Sequence, residues 1–143
     1  AGAQTLGELA DRRVLLIGAG ETAELTARAA ELMAAQVNIR AGNHDGALKK
    51  LQALEQKLPK DSKIQGRARI AQAECLAAGK KNDEAVKLLR NVTKETTDKD
   101  LKAIAYNTLG LNYFNAGQLK EARWEFLWVD VVYNHLGPSD LDL

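Results

Sequence analysis

AYNTLGLNYFNAGQLKEARWEFLWV, residues 105–129, consists of two apolar-periodic runs on either side of a Gly-Gln break. Before the break, Tyr106, Leu109 and Tyr113 recur at spacings of three and four. After it, Ala122, Phe126 and Val129 do the same. That spacing places side chains on one face of a helix. Gly117 supplies the tight turn between the two runs. Gly110 and Ala122 are small where the helices cross, so the backbones can approach, and Tyr106, Tyr113 and Phe126 fill the space between them. The stretch reads as a helix–turn–helix unit.

The same grammar extends upstream. A long helix is expected from about residue 21 to 40, stopped by Gly42-Asn43. A second is expected over 45–57, where Ala47, Leu51, Leu54 and Leu58 make one apolar face and Pro59 ends the run. Helices over 63–78 and 83–94 flank Gly79-Lys80-Lys81-Asn82, and helices over 98–116 and 119–133 flank Gly117-Gln118. Three such units in a row call for a test of repetition. Ala47, Ala85 and Ala122 serve as landmarks 38 and 37 residues apart. The first unit carries Ala34, Ala35, Gly42, Ala47, Leu51, Leu54 and Pro59, with Asn38 where the last unit has Tyr113. The middle unit carries Ala68, Ala71, Cys75, Gly79, Ala85, Leu89 and Val92. Its turn reads as one residue longer, since Gly79 to Ala85 spans six positions against five elsewhere.

On these residues the chain resembles the tetratricopeptide repeat family over roughly residues 28–134, most fully in the last unit. The resemblance implies a mainly all-α fold, with three helix–turn–helix repeats over 28–136 stacked as a solenoid and a tail over 137–143. It also implies a non-enzymatic scaffold whose first helices line a concave face that binds peptides or partner proteins. The groove-facing candidates are then Gln36 and Arg40, Arg69, and Asn107, Leu111 and Asn115. The plainer reading of the polar ones is solvated helix surface. The Lys-Asn carboxylate grip of some family members has no residue-by-residue match here. Trp124 and Trp128, four apart, share a side of the last helix. With Pro138 discouraging a further helix, they are candidates for an association surface with a second copy or a partner.

The N-terminal stretch has a different character. Val14, Leu15, Leu16 and Ile17 form a continuous apolar run of the kind found in buried parallel strands. Gly18, Gly20 and Ala23 follow with the G-x-G-x-x-G/A spacing that lets a helix N-terminus approach a pyrophosphate. Residues 5–30 resemble the start of the nucleotide-binding domain of glutamyl-tRNA reductase. This implies a Rossmann-like strand–turn–helix fragment over 1–27 that merges into the first helix. The later strands and the catalytic cysteine region of that family are missing, so no reductase activity and no cofactor are expected. A lone strand cannot satisfy its own backbone groups. Pairing of residues 14–17 with a second copy is the preferred reading, and capping of the solenoid is another. Nucleotide or phosphate binding at residues 18–23 is a rival function. A natural or engineered chimera with no evolved function is a third.

Composition narrows the rest. The formal net charge is +1 and aromatic residues are 5%, with no interleaved aromatic platform, so nucleic acid is not an expected partner. No apolar run approaches the roughly 20 residues that span a bilayer, and AGAQTLGELADRR lacks the order of a signal peptide. A soluble protein is expected, with the cytoplasm slightly favoured. The single cysteine, Cys75, cannot form an intramolecular disulfide and reads as core. His44 and His135 lie far apart, without the spacing of a metal site.

Overall fold

The structure, a computed structural model, describes residues 19–60 and 62–134, with side chains from residue 24 onward. Among the described residues there are six helices and no strand: α1 (Ala19–Arg40), α2 (His44–Lys57), α3 (Lys63–Ala78), α4 (Asn82–Glu95), α5 (Lys99–Asn115) and α6 (Leu119–Asn134). Their ends follow local chemistry. The side chains of Asn43, Ser62 and Asp98 accept from the backbone N–H groups of Gly46, Gln65 and Leu101, and so cap α2, α3 and α5. Leu58 leaves α2 in extended backbone, the conformation that the following Pro59 favours.

The three turns inside the helix pairs are copies of one another. Gly42 and Gly117 adopt left-handed backbone, φ +85° and +79°, and the N–H of each donates to the carbonyl three residues back. The next residue, Asn43 or Gln118, donates to the carbonyl five residues back. This is the Schellman pairing, which satisfies the orphan carbonyls at a helix end. In the middle pair the same bonds run from Lys80 to Ala77 and from Lys81 to Leu76. Lys80, at φ 63°, therefore takes the glycine place, and Gly79 is an ordinary residue at φ −80°. This corrects the longer middle turn expected from the sequence. Counted from Lys80, Ala85 lies five residues on, as Ala47 and Ala122 do from Gly42 and Gly117.

Each helix packs on the next, and α3 also packs against both α1 and α5, so the first helices form a row. The landmarks hold the pairs together. Ala47 and Ala85 are fully buried and Ala122 nearly so. Opposite them, Ala35, Ala73 and Gly110 occupy equivalent places on α1, α3 and α5, all buried. A Cβ on Gly110 would run into the Phe126 ring, so the crossing favours glycine.

Two apolar clusters fill the spaces between successive pairs. One joins Leu32, Ala35, Leu51 and Leu54 of the first pair to Ala68, Ala71 and Cys75 of the second. The other joins Ile70, Ala73, Leu89 and Val92 of the second to Leu101, Ala105 and Leu109 of the third. Burying each leucine contributes about 1.5–3 kcal/mol. A polar bridge crosses the same second junction. Arg90 of α4 donates to both carboxylate oxygens of Glu125 on α6, which is 1% exposed. Burial alone would lower the Arg90 pKa, but the bond and charge of Glu125, followed by those of Tyr113, outweigh it and raise it.

Candidate functional site

Counting from the left-handed turn residue of each pair aligns Gln36, Glu74 and Leu111 on α1, α3 and α5, and likewise Arg40, Ala78 and Asn115. These two rows run side by side along the first helices. Glu74, Leu111 and Asn115 meet at a depression of about 380 Å³ between α3 and α5, walled by Ala77, Ala78 and Thr108 and closed at one end by Lys80 and Asn82. Asn112 lies at its edge and also lines an adjoining depression of about 360 Å³ with Tyr113 and Gln118. The Asn112 side chain is buried, and its Nδ2 has no hydrogen-bond partner. A buried amide left unpaired costs about 1–3 kcal/mol. Among the described residues Glu74 has no ion-pair partner, and partial burial in the groove holds its carboxyl above the usual carboxylate range. The groove thus presents a carboxylate, the exposed amide of Asn115 and an exposed leucine within one stretch, with the buried Asn112 amide beneath its edge.

Of the residues singled out from sequence, Gln36, Arg40, Leu111 and Asn115 fall on these rows, and Leu111 and Asn115 line the same depression. Asn107 is exposed on α5 but does not line it. Arg69 points elsewhere. Its guanidinium lies 2.6 Å from Glu95 on α4 and 3.5 Å from Glu55 on α2, on the side of the second helices. The sequence reading missed Glu74 and Asn112. Leu111 and Glu74 are linked by the 37-residue offset that also separates Ala85 from Ala122, but anchoring the middle turn on Gly79 gives 38 instead, and only Lys80 in the glycine place decides between them.

A larger depression, about 520 Å³, lies beside Arg69, lined by Gln65, Glu95 and Asp98. Its charges are spent on one another: Arg69 with Glu95, and Lys63 with Asp98 at 3.1 Å. Trp124, Leu127, Trp128 and Val131 form an outer face on α6 around a shallow hollow of about 270 Å³. Trp128 stacks on Tyr106 at 5.8 Å, and Trp124 meets it edge-on at 6.3 Å. Trp124 stays 60% exposed.

Gly20 and Ala23 lie within α1, whereas Val14, Leu15, Leu16, Ile17 and Gly18 lie outside the described residues, as does His135. Among the described residues no group of His, Cys, Asp or Glu could hold a metal ion, and no helix is long and apolar enough to cross a membrane. Cys75 is buried. Burial pushes its thiol up to about 11, with Glu74 and Asp45 adding to the shift, so it is a poor nucleophile near neutrality.

No curated protein and no solved structure matches the chain significantly. The sequence profile of the tetratricopeptide repeat-like domain matches residues 15–127, which takes in every pair from α1 to most of α6. The chain belongs to the tetratricopeptide repeat-like domain family.

Proposed function

We propose that this protein is a non-enzymatic scaffold that holds an extended peptide segment of a partner protein along its row of first helices. The family's general role in protein–protein contact supports this reading. The observation that carries it is the α3–α5 groove, where Glu74, Leu111 and Asn115 stand exposed in one depression. An extended backbone offers the carbonyls and N–H groups that an amide and a carboxylate pair with, and a side chain to lie on Leu111. The paired charges of the larger depression offer no such opening.

Selection of a displayed peptide library against the immobilised chain tests the reading. Selected peptides should bind Leu111→Arg and Glu74→Lys at least about tenfold more weakly than the parent, a difference of about 1.4 kcal/mol. They should bind Trp124→Ala unchanged. Binders indifferent to both groove variants, or a selection that yields none, would overturn the reading.

A further inference from the structure

The two ends of the stack differ from its middle position by position. On α3, Ala68, Ala71 and Cys75 are buried against the preceding pair, and on α5 the matching Ala105, Thr108 and Asn112 are buried too. The matching residues of α1 are Ala30, Met33 and Val37, and all three are exposed, Met33 by 65% and Val37 by 61%. The opposite end shows the reverse. Leu32 and Ile70, buried toward the following pair, are matched on α5 by exposed Asn107. Leu51 and Leu89 are fully buried, whereas the matching Phe126 is partly open, and Phe114, matched by Ile39 and Ala77 that pack against the two core clusters, is 56% exposed.

One molecule therefore carries both halves of a contact that it already makes twice within itself. We propose that a second copy of this chain docks head-to-tail, its α1 seated on α5 and α6 of the first as α3 sits on α1 and α2. Part of the bulk is exchanged across this fit: Met33 and Val37 are larger than Ala71 and Cys75, and the facing Asn107 is smaller than Ile70, while Phe126 and Phe114 add apolar surface beside it. Such a contact is heterologous, so each copy keeps one free face and assembly continues into chains or closes into a ring.

Sedimentation velocity and light scattering on the full 143-residue chain, up to about 1 mM, where contacts weaker than micromolar still register, should show concentration-dependent growth. The pair Met33→Glu with Val37→Glu blocks only the α1 face, and Phe114→Glu blocks only the α5–α6 face. All three positions are exposed, so the fold is kept, and circular dichroism checks it. Each variant alone should stay monomeric at concentrations at least about tenfold above those at which the parent associates. Mixed, they should form a one-to-one heterodimer and nothing larger. Asn107→Arg serves as a second block of the α5–α6 face. A parent that stays monomeric over the whole range overturns the proposal, whether the α1 face is empty or covered by residues 1–18. So does association that survives both blocks but is lost with Trp124→Ala, which would mean a back-to-back contact through α6. Absence of the heterodimer on mixing overturns it as well.

Discussion

Lys80 is a β-carbon residue held in left-handed backbone, a conformation that costs most side chains about 1–2 kcal/mol and glycine almost nothing. Lys80→Gly should therefore raise stability by about 0.5–1 kcal/mol in denaturant unfolding, after allowing for the added freedom of the unfolded chain. Gly110→Ala should do the opposite. Its methyl would enter the Phe126 ring, and overpacking of this kind costs about 1–3 kcal/mol. Lys80 also marks where the sequence was legible and where it was not. Glycines at 42 and 117 announce their turns, and the alanines after them were legible for the same reason. A lysine announces nothing, so Gly79 takes the anchor by default. That one-residue slip sets Arg69 level with Asn107, where the structure has Ile70. One residue turns a side chain about 100° around a helix, enough to move it from the groove to the opposite wall. Arg69 was thus readable as a candidate and Glu74 was not.

At the scale of elements, two contacts tie the third pair to the second, and they respond to different conditions. Asp98 caps α5. The Leu101 N–H bond first, and then Lys63, hold its carboxyl below the usual range. A depressed folded pKa means a contribution that is whole above the unfolded value, near 4, and that fades as pH falls below it. Asp98→Asn keeps a capping acceptor without the charge. Its unfolding free energy should thus fall less steeply than the parent's as pH drops through that window. The Arg90–Glu125 bridge depends instead on desolvation. Glu125→Leu leaves the guanidinium without its partner and should cost about 3 kcal/mol, at the low end for such pairs because Arg90 reaches solvent. Adding Arg90→Met should recover most of that loss, since two apolar groups can replace a buried pair. Equilibrium unfolding of the single and double variants measures both. The six helices were readable from their periodicity and stop residues to within a few positions. The bridge was not, because its partners lie 35 residues apart and neither stands in a motif.

Across the whole molecule, contacts join neighbours and next-neighbours along the stack, so stability is close to a sum over pairs and junctions. The central helices α3 and α4 have a pair on each side, whereas α1 and α6 lie at the ends. Hydrogen exchange should therefore be slowest in α3 and α4 and should rise toward α1 and α6, with sub-global opening of an end pair below the free energy of full unfolding. Cys75 gives an independent readout from the interior. Buried at the first junction, it should resist thiol reagents in the native chain and become reactive only as that junction opens. The family was legible most fully in the last pair, and the solenoid form in the repetition of three such units along the chain. An association surface on the last helix was expected at Trp124 and Trp128, but the exposed Met33–Val37 and Phe114–Phe126 faces were not, because exposure depends on what stands next to a residue and its type does not reveal that.

The placement of the aromatic rings has a consequence for how such a molecule looks to light. Both tryptophans of the protein belong to α6, within 6.3 Å of each other, and one lies flat on Tyr106. Intrinsic emission is therefore a report from the last pair only, and α1 to α4 are dark at those wavelengths. A melt followed by tryptophan emission should run ahead of one followed by far-ultraviolet dichroism, which sees every helix. The gap between the two curves would be an optical measure of how independently the last pair comes apart from the rest.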